Sequence, residues 1–202
     1  MVRVERIVNK IFESNTYVIS NDGLKDVWLV DVGDTEKVLS ILPLHSIVKG
    51  VLLTHTHFDH IYGLNTLHSA CRDCFVYTSS YGKVALYDEK KNFSKYHESP
   101  FVYEGTNVTI LKDGDNIELF SGVFITAYET PGHCPSCLTY VLDNWIFTGD
   151  AYIPEVKVVT KLPGGDRAIA KQSLERIIGL AEGKIVCAGH GEFESNIKKR
   201  QR

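Results

Sequence analysis

Six consecutive residues, His55-Thr56-His57-Phe58-Asp59-His60, constrain this 202-residue chain more than any other feature. They directly follow the apolar residues 50–54, a run that is typical of a buried strand. Imidazoles and a carboxylate crowded together at a strand end need a cation or abundant water to compensate them. The segment therefore predicts a metal site at the end of a strand, and the alternative is a polar loop rich in histidine.

Three further potential ligands, His133, Asp150 and His190, recur downstream, each after an apolar run and beside glycine or proline. Turns that follow strands in this way gather at one edge of a sheet, where ligands bind. The candidate ligands number seven: His55, His57, Asp59, His60, His133, Asp150 and His190. Seven groups exceed the needs of one tetrahedral zinc and suit two neighbouring metals that share a carboxylate.

In order and spacing, these residues resemble the metallo-β-lactamase-fold hydrolases, and the resemblance covers nearly the whole chain. It implies a first metal on His55, His57 and His133. It implies a second metal on Asp59, His60 and His190, with Asp150 as the bridge. The bridging aspartate is more similar to the glyoxalase II, lactonase and phosphodiesterase branches than to the true β-lactamases. Because the sequence stops at Arg202, soon after His190, we expect a glyoxalase II-like protein without the C-terminal helical domain of that branch.

The two halves of the chain resemble each other faintly. Trp28-Leu29-Val30-Asp31 parallels Trp145-Ile146-Phe147-Thr148-Gly149-Asp150, and each is followed by a predicted helix and a strand that leads to histidine. This predicts an α/β fold in which residues 1–202 form one domain, a four-layer α/β/β/α sandwich. The resemblance implies the same fold. Asp31 then corresponds to Asp150, and we interpret it as an orienting or turn-forming group rather than a ligand.

A coarse reading of periodicity and turn residues predicts the individual elements. Helices are expected near 35–42, from His60 onward with Ile61, Leu64 and Leu67 on one face, over 167–180 with Asp166 as its cap, and at the basic end of the chain. Strands are expected near 2–8, 14–20, 26–31, 49–54, 74–78, 107–111, 116–120, 122–129, 137–142, 144–148 and 184–188. The charged segment Asp88–Glu98 is either a lid over the site or a solvated surface.

Composition narrows the class of partner. The net charge of −3 lacks the basic footprint of nucleic-acid-binding proteins, and the first six residues are too charged for a signal peptide. No apolar run approaches membrane-spanning length. We therefore expect a cytoplasmic protein that acts on a small molecule, without nucleic acid or membrane partners. The pairs Cys71/Cys74 and Cys134/Cys137 have the C-x-x-C spacing of a zinc knuckle or a redox pair, and together they could form a four-cysteine zinc site. We expect Cys134 and Cys137 to pack as small buried residues instead.

The ligand set predicts a metal-dependent hydrolase. Two divalent ions, zinc in the first instance with iron or manganese also suited to these ligands, would lower the pKa of a bound water. The resulting bridging hydroxide would attack a small ester, thioester, lactone or phosphodiester. Asp59 would orient it and Asp150 would set the spacing of the metals, which makes both catalytic residues. The alternatives are a persulfide dioxygenase with one iron on His55, His133 and Asp150, or a catalytically silent metal-binding protein.

Overall fold

Two β-sheets stacked face to face form the centre of the molecule, as seen in a computed structural model that describes residues 1–193. The strands of the first sheet are β1 Val2–Val8, β2 Asn15–Asn21, β3 Asp26–Val30, β4 Ile47–Leu52, β5 Phe75–Thr78 and β6 Val108–Ile110, and they lie in sequence order. The strands of the second are β7 Asn116–Phe120, β8 Val123–Glu129, β9 Leu138–Leu142, β10 Trp145–Gly149 and β11 Ile185–Ala188, and they too follow sequence order across the sheet.

Alternating side chains of each sheet divide the core into three layers. Tyr17 and Ile19 of β2 pack between the sheets, whereas Val18 faces the helical side of the first sheet. That side is covered by the first helices of the chain: α1 Thr35–Ile41, α2 Phe58–Ile61 and α3 Leu64–Ala70. A helix α4, Ser80–Leu86, follows β5, and α5, Arg167–Leu180, covers the second sheet. The predicted α/β/β/α sandwich is confirmed.

The faint internal similarity corresponds to a repeated strand–helix–strand unit. In the first sheet β3 and β4 are parallel and are joined through α1; in the second, β10 and β11 are parallel and are joined through α5. Parallel strands point their carboxyl ends to the same edge of a sheet. The two edges are joined where the backbone N–H of Asn15 donates to the carbonyl of Gly189 at 2.7 Å. The candidate ligands follow strands that end at this junction.

Two expected boundaries differ in the structure. The helix expected from His60 begins at Phe58 and is interrupted at Gly63, where the chain passes so close to Gly33 that a Cβ would lie 2.0 Å from its carbonyl oxygen. Strand β4 ends at Leu52 rather than at Thr54, because the N–H of Thr54 donates to the side chain of Asp31 at 2.7 Å instead of to a neighbouring strand. The other elements agree closely, including α5 and its Asp166 cap.

The remaining expectations concern the cysteines, the membrane and the C-terminus. Cys71 and Cys74 pack with the first helical layer, whereas Cys134 and Cys137 pack beneath α5, so the four-cysteine zinc site is wrong. All five cysteines are free thiols. Within residues 1–193, no helix has the length and apolar character needed to cross a bilayer. The predicted basic C-terminal helix lies outside the described residues.

Candidate metal centre

All seven predicted ligand side chains converge where the edges of the two sheets meet. The first group takes His55 and His57 from the turn after β4 and His133 from the loop between β8 and β9. The second takes Asp59 and His60 from α2 and His190 from the turn after β11. Within each group the candidate ligand atoms lie within 4.8 Å of one another. Each group is therefore compact enough to surround one ion.

Asp150 lies between the two groups and contacts both. Its Oδ1 is 3.6 Å from Nε2 of His60, and its Oδ2 is 3.7 Å from Nε2 of His133 and 3.5 Å from Nε2 of His190. Two ligand atoms bound to one tetrahedral zinc, each at about 2.1 Å, are separated by about 3.4 Å. The observed separations are close to that value, so Asp150 is near enough to share an ion with either group.

Backbone carbonyls determine which ring nitrogen two of the histidines present to the centre. Nδ1 of His133 is 2.8 Å from the carbonyl of Val159, and Nδ1 of His190 is 3.0 Å from the carbonyl of Phe12. A carbonyl only accepts hydrogen bonds, so each Nδ1 carries the proton and donates it. The lone pair of each neutral ring therefore lies on Nε2, which faces the centre and is available to a metal.

Asp31 orients His60 from behind. Its Oδ2 accepts from Nδ1 of His60 at 2.9 Å and from Oγ1 of Thr54 at 2.6 Å, while its Oδ1 accepts from the backbone N–H of Thr54. The oxygen atoms of Asp31 are thus engaged, although this residue lies within 4.8 Å of candidate ligand atoms of His55 and His60. The geometry agrees with an orienting role for Asp31.

Several buried polar atoms of the centre have no hydrogen-bond partner among the described residues. They are Nε2 of His55, Nε2 of His57, Nε2 of His60 and Oδ1 of Asp150. Buried polar groups left without partners are destabilising and are rare in folded proteins. Imidazole and carboxylate are common ligands of zinc and are also suited to iron and manganese. The donor set therefore fits divalent cations, and its division into two groups around Asp150 fits two of them.

Without metal, protonated histidines supply positive charge to the centre. Burial opposes the charged form of His190, but Asp150 and Asp59 outweigh it and raise the pKa of His190 to about 9. The pKa of His60 is raised in the same sense, because Asp59 and Asp31 outweigh burial. The pKa of Asp59 is lowered although burial opposes this, because His60 and His190 face it. A centre that holds cationic histidines beside ionised carboxylates is suited to exchanging those protons for metal ions.

A pocket of about 470 Å³ opens over the centre. Its floor contains the ligands His57, Asp59, His133, Asp150 and His190. Its walls are mainly apolar and aromatic: Phe12, Phe58, Phe93, Tyr96, His97, Val159, Leu162 and Pro163. The segment Asp88–Glu98 contributes three of these wall residues, while its lysines at 90, 91 and 95 lie on or near the surface. One face of the segment thus borders the pocket and the other is solvated, while its action as a lid stays a prediction.

Residues 11–190 match the family model of the metallo-beta-lactamase superfamily. The chain belongs to the metallo-β-lactamase superfamily. The match spans every candidate ligand from His55 to His190. It also agrees with the fold expected from the ligand pattern.

Curated relatives of this superfamily member are named as hydrolases. A hydroxyacylglutathione hydrolase from Psychromonas ingrahamii is 31% identical over 95% of this chain and 67% of its own length. One from Cronobacter sakazakii is 28% identical over 93% of this chain and 66% of its own length. A probable metallo-hydrolase from Streptococcus pyogenes is 29% identical over 81% of this chain. These names indicate that the chain is a hydrolase, and it spans about two thirds of the length of the hydroxyacylglutathione hydrolases.

Solved structures of the superfamily share the fold over nearly the full chain. BLEG-1, a B3 metallo-β-lactamase, has a TM-score of 0.87 and 26% identity, and the match covers 96% of this chain and 94% of that one. TTHA1623, solved in a di-iron-bound form, has a TM-score of 0.79 and 25% identity, with 95% and 94% covered. The four-layer architecture of this superfamily member is thus common to both.

Sequence reasoning missed the groups that shape the centre without binding to it. The carbonyls of Phe12 and Val159, which hold two ligand histidines, lie in loops with no motif. Phe93 and Tyr96 form part of the pocket wall from a segment that stands out in the sequence only for its charge. The signal that could have found this wall is the presence of Phe93 and Tyr96 among the charged residues 88–98, because large aromatic side chains are seldom fully exposed.

Proposed function

We propose that this protein is a dinuclear metal-dependent hydrolase, with zinc as the expected metal, that cleaves a small ester, thioester, lactone or phosphodiester. The observation that carries the proposal is the pair of three-residue groups with Asp150 in contact with both. The hydrolase names of the relatives support the class of reaction. We also propose a cytoplasmic location, where the five unpaired cysteines, four of them buried, would stay reduced.

When bound, the two ions would supply an activated water at neutral pH and the positive charge that a developing oxyanion needs. His55, His57 and His133 would hold one ion, and Asp59, His60 and His190 the other. Asp150 would set the separation of the two. Asp59 stays ionised because its pKa is lowered by His60 and His190 against the effect of burial. We assign it the role of accepting a hydrogen bond from the attacking water and so orienting it.

The second complete group favours this function over the one-iron alternative. A single iron on His55, His133 and Asp150 would leave Asp59, His60 and His190 clustered without an ion. Nε2 of His60 is 3.2 Å from Asp59 Oδ2, and Nε2 of His190 is 3.4 Å from the same oxygen. Such a compact second group supports two ions. We also propose that residues 1–202 act as one domain, because each group takes ligands from both halves of the chain.

A panel of thioesters, lactones, phosphodiesters and β-lactams, offered to the zinc-loaded protein, tests this function. We expect turnover of at least one ester-type class, loss on chelation and recovery when zinc is restored. Asp150→Asn should lose one of the two zinc ions and most of the activity, because a neutral amide is a much weaker metal ligand than a carboxylate. Asp143→Asn, in an exposed turn with positive φ that asparagine tolerates, is the matched control. Full activity in Asp150→Asn, or oxygen consumption with a persulfide by an iron-loaded protein, would contradict the proposal.

A further inference from the structure

The walls of the pocket above the metal centre consist largely of apolar and aromatic side chains that are exposed to solvent. Tyr96 is 76% exposed and Phe12 67% exposed, yet both line the pocket, as do the partly exposed Val159 and Leu162. Large apolar side chains grouped around a cavity and left open to solvent are typical of ligand-binding surfaces. The grouping therefore points to a bound molecule rather than to packing within the chain.

Two aromatic residues of the pocket wall, Phe12 and Phe93, have an unfavourable backbone conformation. Phe12 has φ +53° and Phe93 has φ +62°, in the left-handed region that bulky residues rarely adopt. Such conformations persist mostly at functional sites, where the surrounding structure maintains them. Phe93 contacts the candidate ligand His57, with ring centroids 4.9 Å apart, and Phe12 contacts His97 at 5.7 Å. The two rings are thus fixed beside the reacting centre.

Charge is distributed unevenly within the pocket. Among residues 1–193, none of those that line the pocket is lysine or arginine, and its carboxylates belong to the candidate ligands Asp59 and Asp150. On the nearby segment, Lys91 is paired with Asp88 at the surface. A substrate with charged groups away from its scissile bond would lose their hydration without gaining a counter-ion from these walls. The glutathione part of a glutathione thioester, which carries two carboxylates and an ammonium group, is such a case.

We propose that the substrate is a neutral ester or thioester with an apolar alkyl or aryl acyl group, which lies against Phe12, Phe93, Tyr96 and Leu162 while its carbonyl faces the metal centre. The inference rests on the hydrolase function proposed above and makes it more specific. A pocket of about 470 Å³ is within the range of small-molecule sites and exceeds the needs of an acetyl group.

The direct test is a series of thioesters with one neutral thiol, N-acetylcysteamine, and acyl groups from acetyl to octanoyl. Metal-loaded full-length protein should show kcat/KM rising about fourfold for each methylene that the pocket buries. At equal acyl length, the neutral thioester should be a better substrate than the glutathione thioester. A flat series, or a preference for the glutathione thioester, would overturn the inference and leave the hydrolase function standing.

Two substitutions on exposed wall residues separate binding by the walls from the chemistry of the metals. Tyr96→Ala should flatten the chain-length series, so that the ratio of kcat/KM for the octanoyl thioester to that for the acetyl thioester falls. Leu162→Lys should lower the rate with octanoyl thioester and raise the relative rate with glutathione thioesters, because it adds a cation to the wall. Leu44→Lys is the matched control, since Leu44 is exposed and is not one of the residues that line the pocket. An unchanged series in both wall variants would count against the assignment.

A binding measurement keeps the inference testable if none of the esters is cleaved. In that case the proposed function fails, and calorimetry with non-hydrolysable S-alkyl thioethers of N-acetylcysteamine examines the pocket alone. Affinity that increases from S-methyl to S-octyl, and that Tyr96→Ala weakens, would support an apolar ligand. Equal affinity across the series would overturn it.

Discussion

At the scale of single residues, the centre depends on groups that orient the candidate ligands. Asp31 is buried and accepts hydrogen bonds from Thr54 and His60, which directs Nε2 of His60 toward Asp59 and Asp150. Val159 and Phe12 direct His133 and His190 through their carbonyls. These contacts fix each ring before a metal binds, so less conformational entropy of the side chains is lost on metal binding.

Asp31→Asn tests the orienting role. The amide keeps one oxygen, so its NH2 group must face either Thr54 or the donating Nδ1 of His60, and one of these hydrogen bonds is lost. We expect the ion held by the His60 group to bind about 10- to 100-fold more weakly, while the ion of the His55 group keeps its affinity. Competition with a chromophoric chelator would measure both steps. Two unchanged affinities would show that Asp31 does not position His60.

The raised pKa of His190 predicts a pH dependence for the metal-free protein. Its folded pKa of about 9 exceeds the usual value of 6.5, so protonation stabilises the folded state. This contribution is complete below about pH 6.5 and is lost as the pH rises through about 9. The raised pKa of His60 acts in the same direction. In EDTA, the free energy of unfolding by urea should therefore fall across this interval, and less steeply in His190→Gln. A constant or rising value would be incompatible with cationic histidines in the empty centre.

At the scale of elements, candidate ligands and the orienting Asp31 are presented by turns at the ends of parallel strands. Asp31 follows β3, Asp150 follows β10 and His190 follows β11, and in each case the strand is buried. The second unit packs so tightly at this edge that only a residue without a side chain fits between the ends of β10 and β11. At Gly189 an added Cβ would lie 2.1 Å from Oδ1 of Asp150 and 2.9 Å from Cε1 of His60.

Gly189→Ala should therefore displace the candidate bridge while the sheet remains. The added methyl group must push Asp150 or His60 away, so we expect loss of one metal per chain and most activity. The cost in stability should be about 1–3 kcal/mol, as for other cases of overpacking. Gly179→Ala is the control: it lies in α5 with nothing within 4 Å of the added Cβ, and it should stabilise by about 0.4–1 kcal/mol. Normal metal content in Gly189→Ala would contradict the account of this edge.

The sequence predicts those features of the fold that are determined within a short segment, and it misses those that depend on distant parts of the chain. Strand periodicity, the Asp166 cap of α5 and the similarity of the two halves were predicted because each arises within a short segment. The interruption at Gly63 was not, because it depends on the approach of Gly33 from a distant part of the chain. The aromatic pocket wall was missed for the same reason, since the left-handed conformation of Phe12 and Phe93 has no signature in sequence.

At the scale of the whole molecule, the two sheets are brought together by one apolar layer, and the centre lies where their edges meet. Tyr17 and Phe147, one from each sheet, pack in this layer with ring centroids 5.5 Å apart. The hydroxyl of Tyr17 donates to the carbonyl of Ala188 at 2.6 Å, directly before the turn that carries His190. Neither half supplies a full set of ligands, so the centre exists only when both sheets are packed.

Anomalous diffraction from crystals of the zinc-loaded protein at the zinc absorption edge tests this account most directly. We expect two peaks a few ångströms apart, one bounded by His55, His57 and His133, the other by Asp59, His60 and His190, with Asp150 between them. A single peak, or two peaks that do not share Asp150, would contradict the claim that the halves assemble one dinuclear centre.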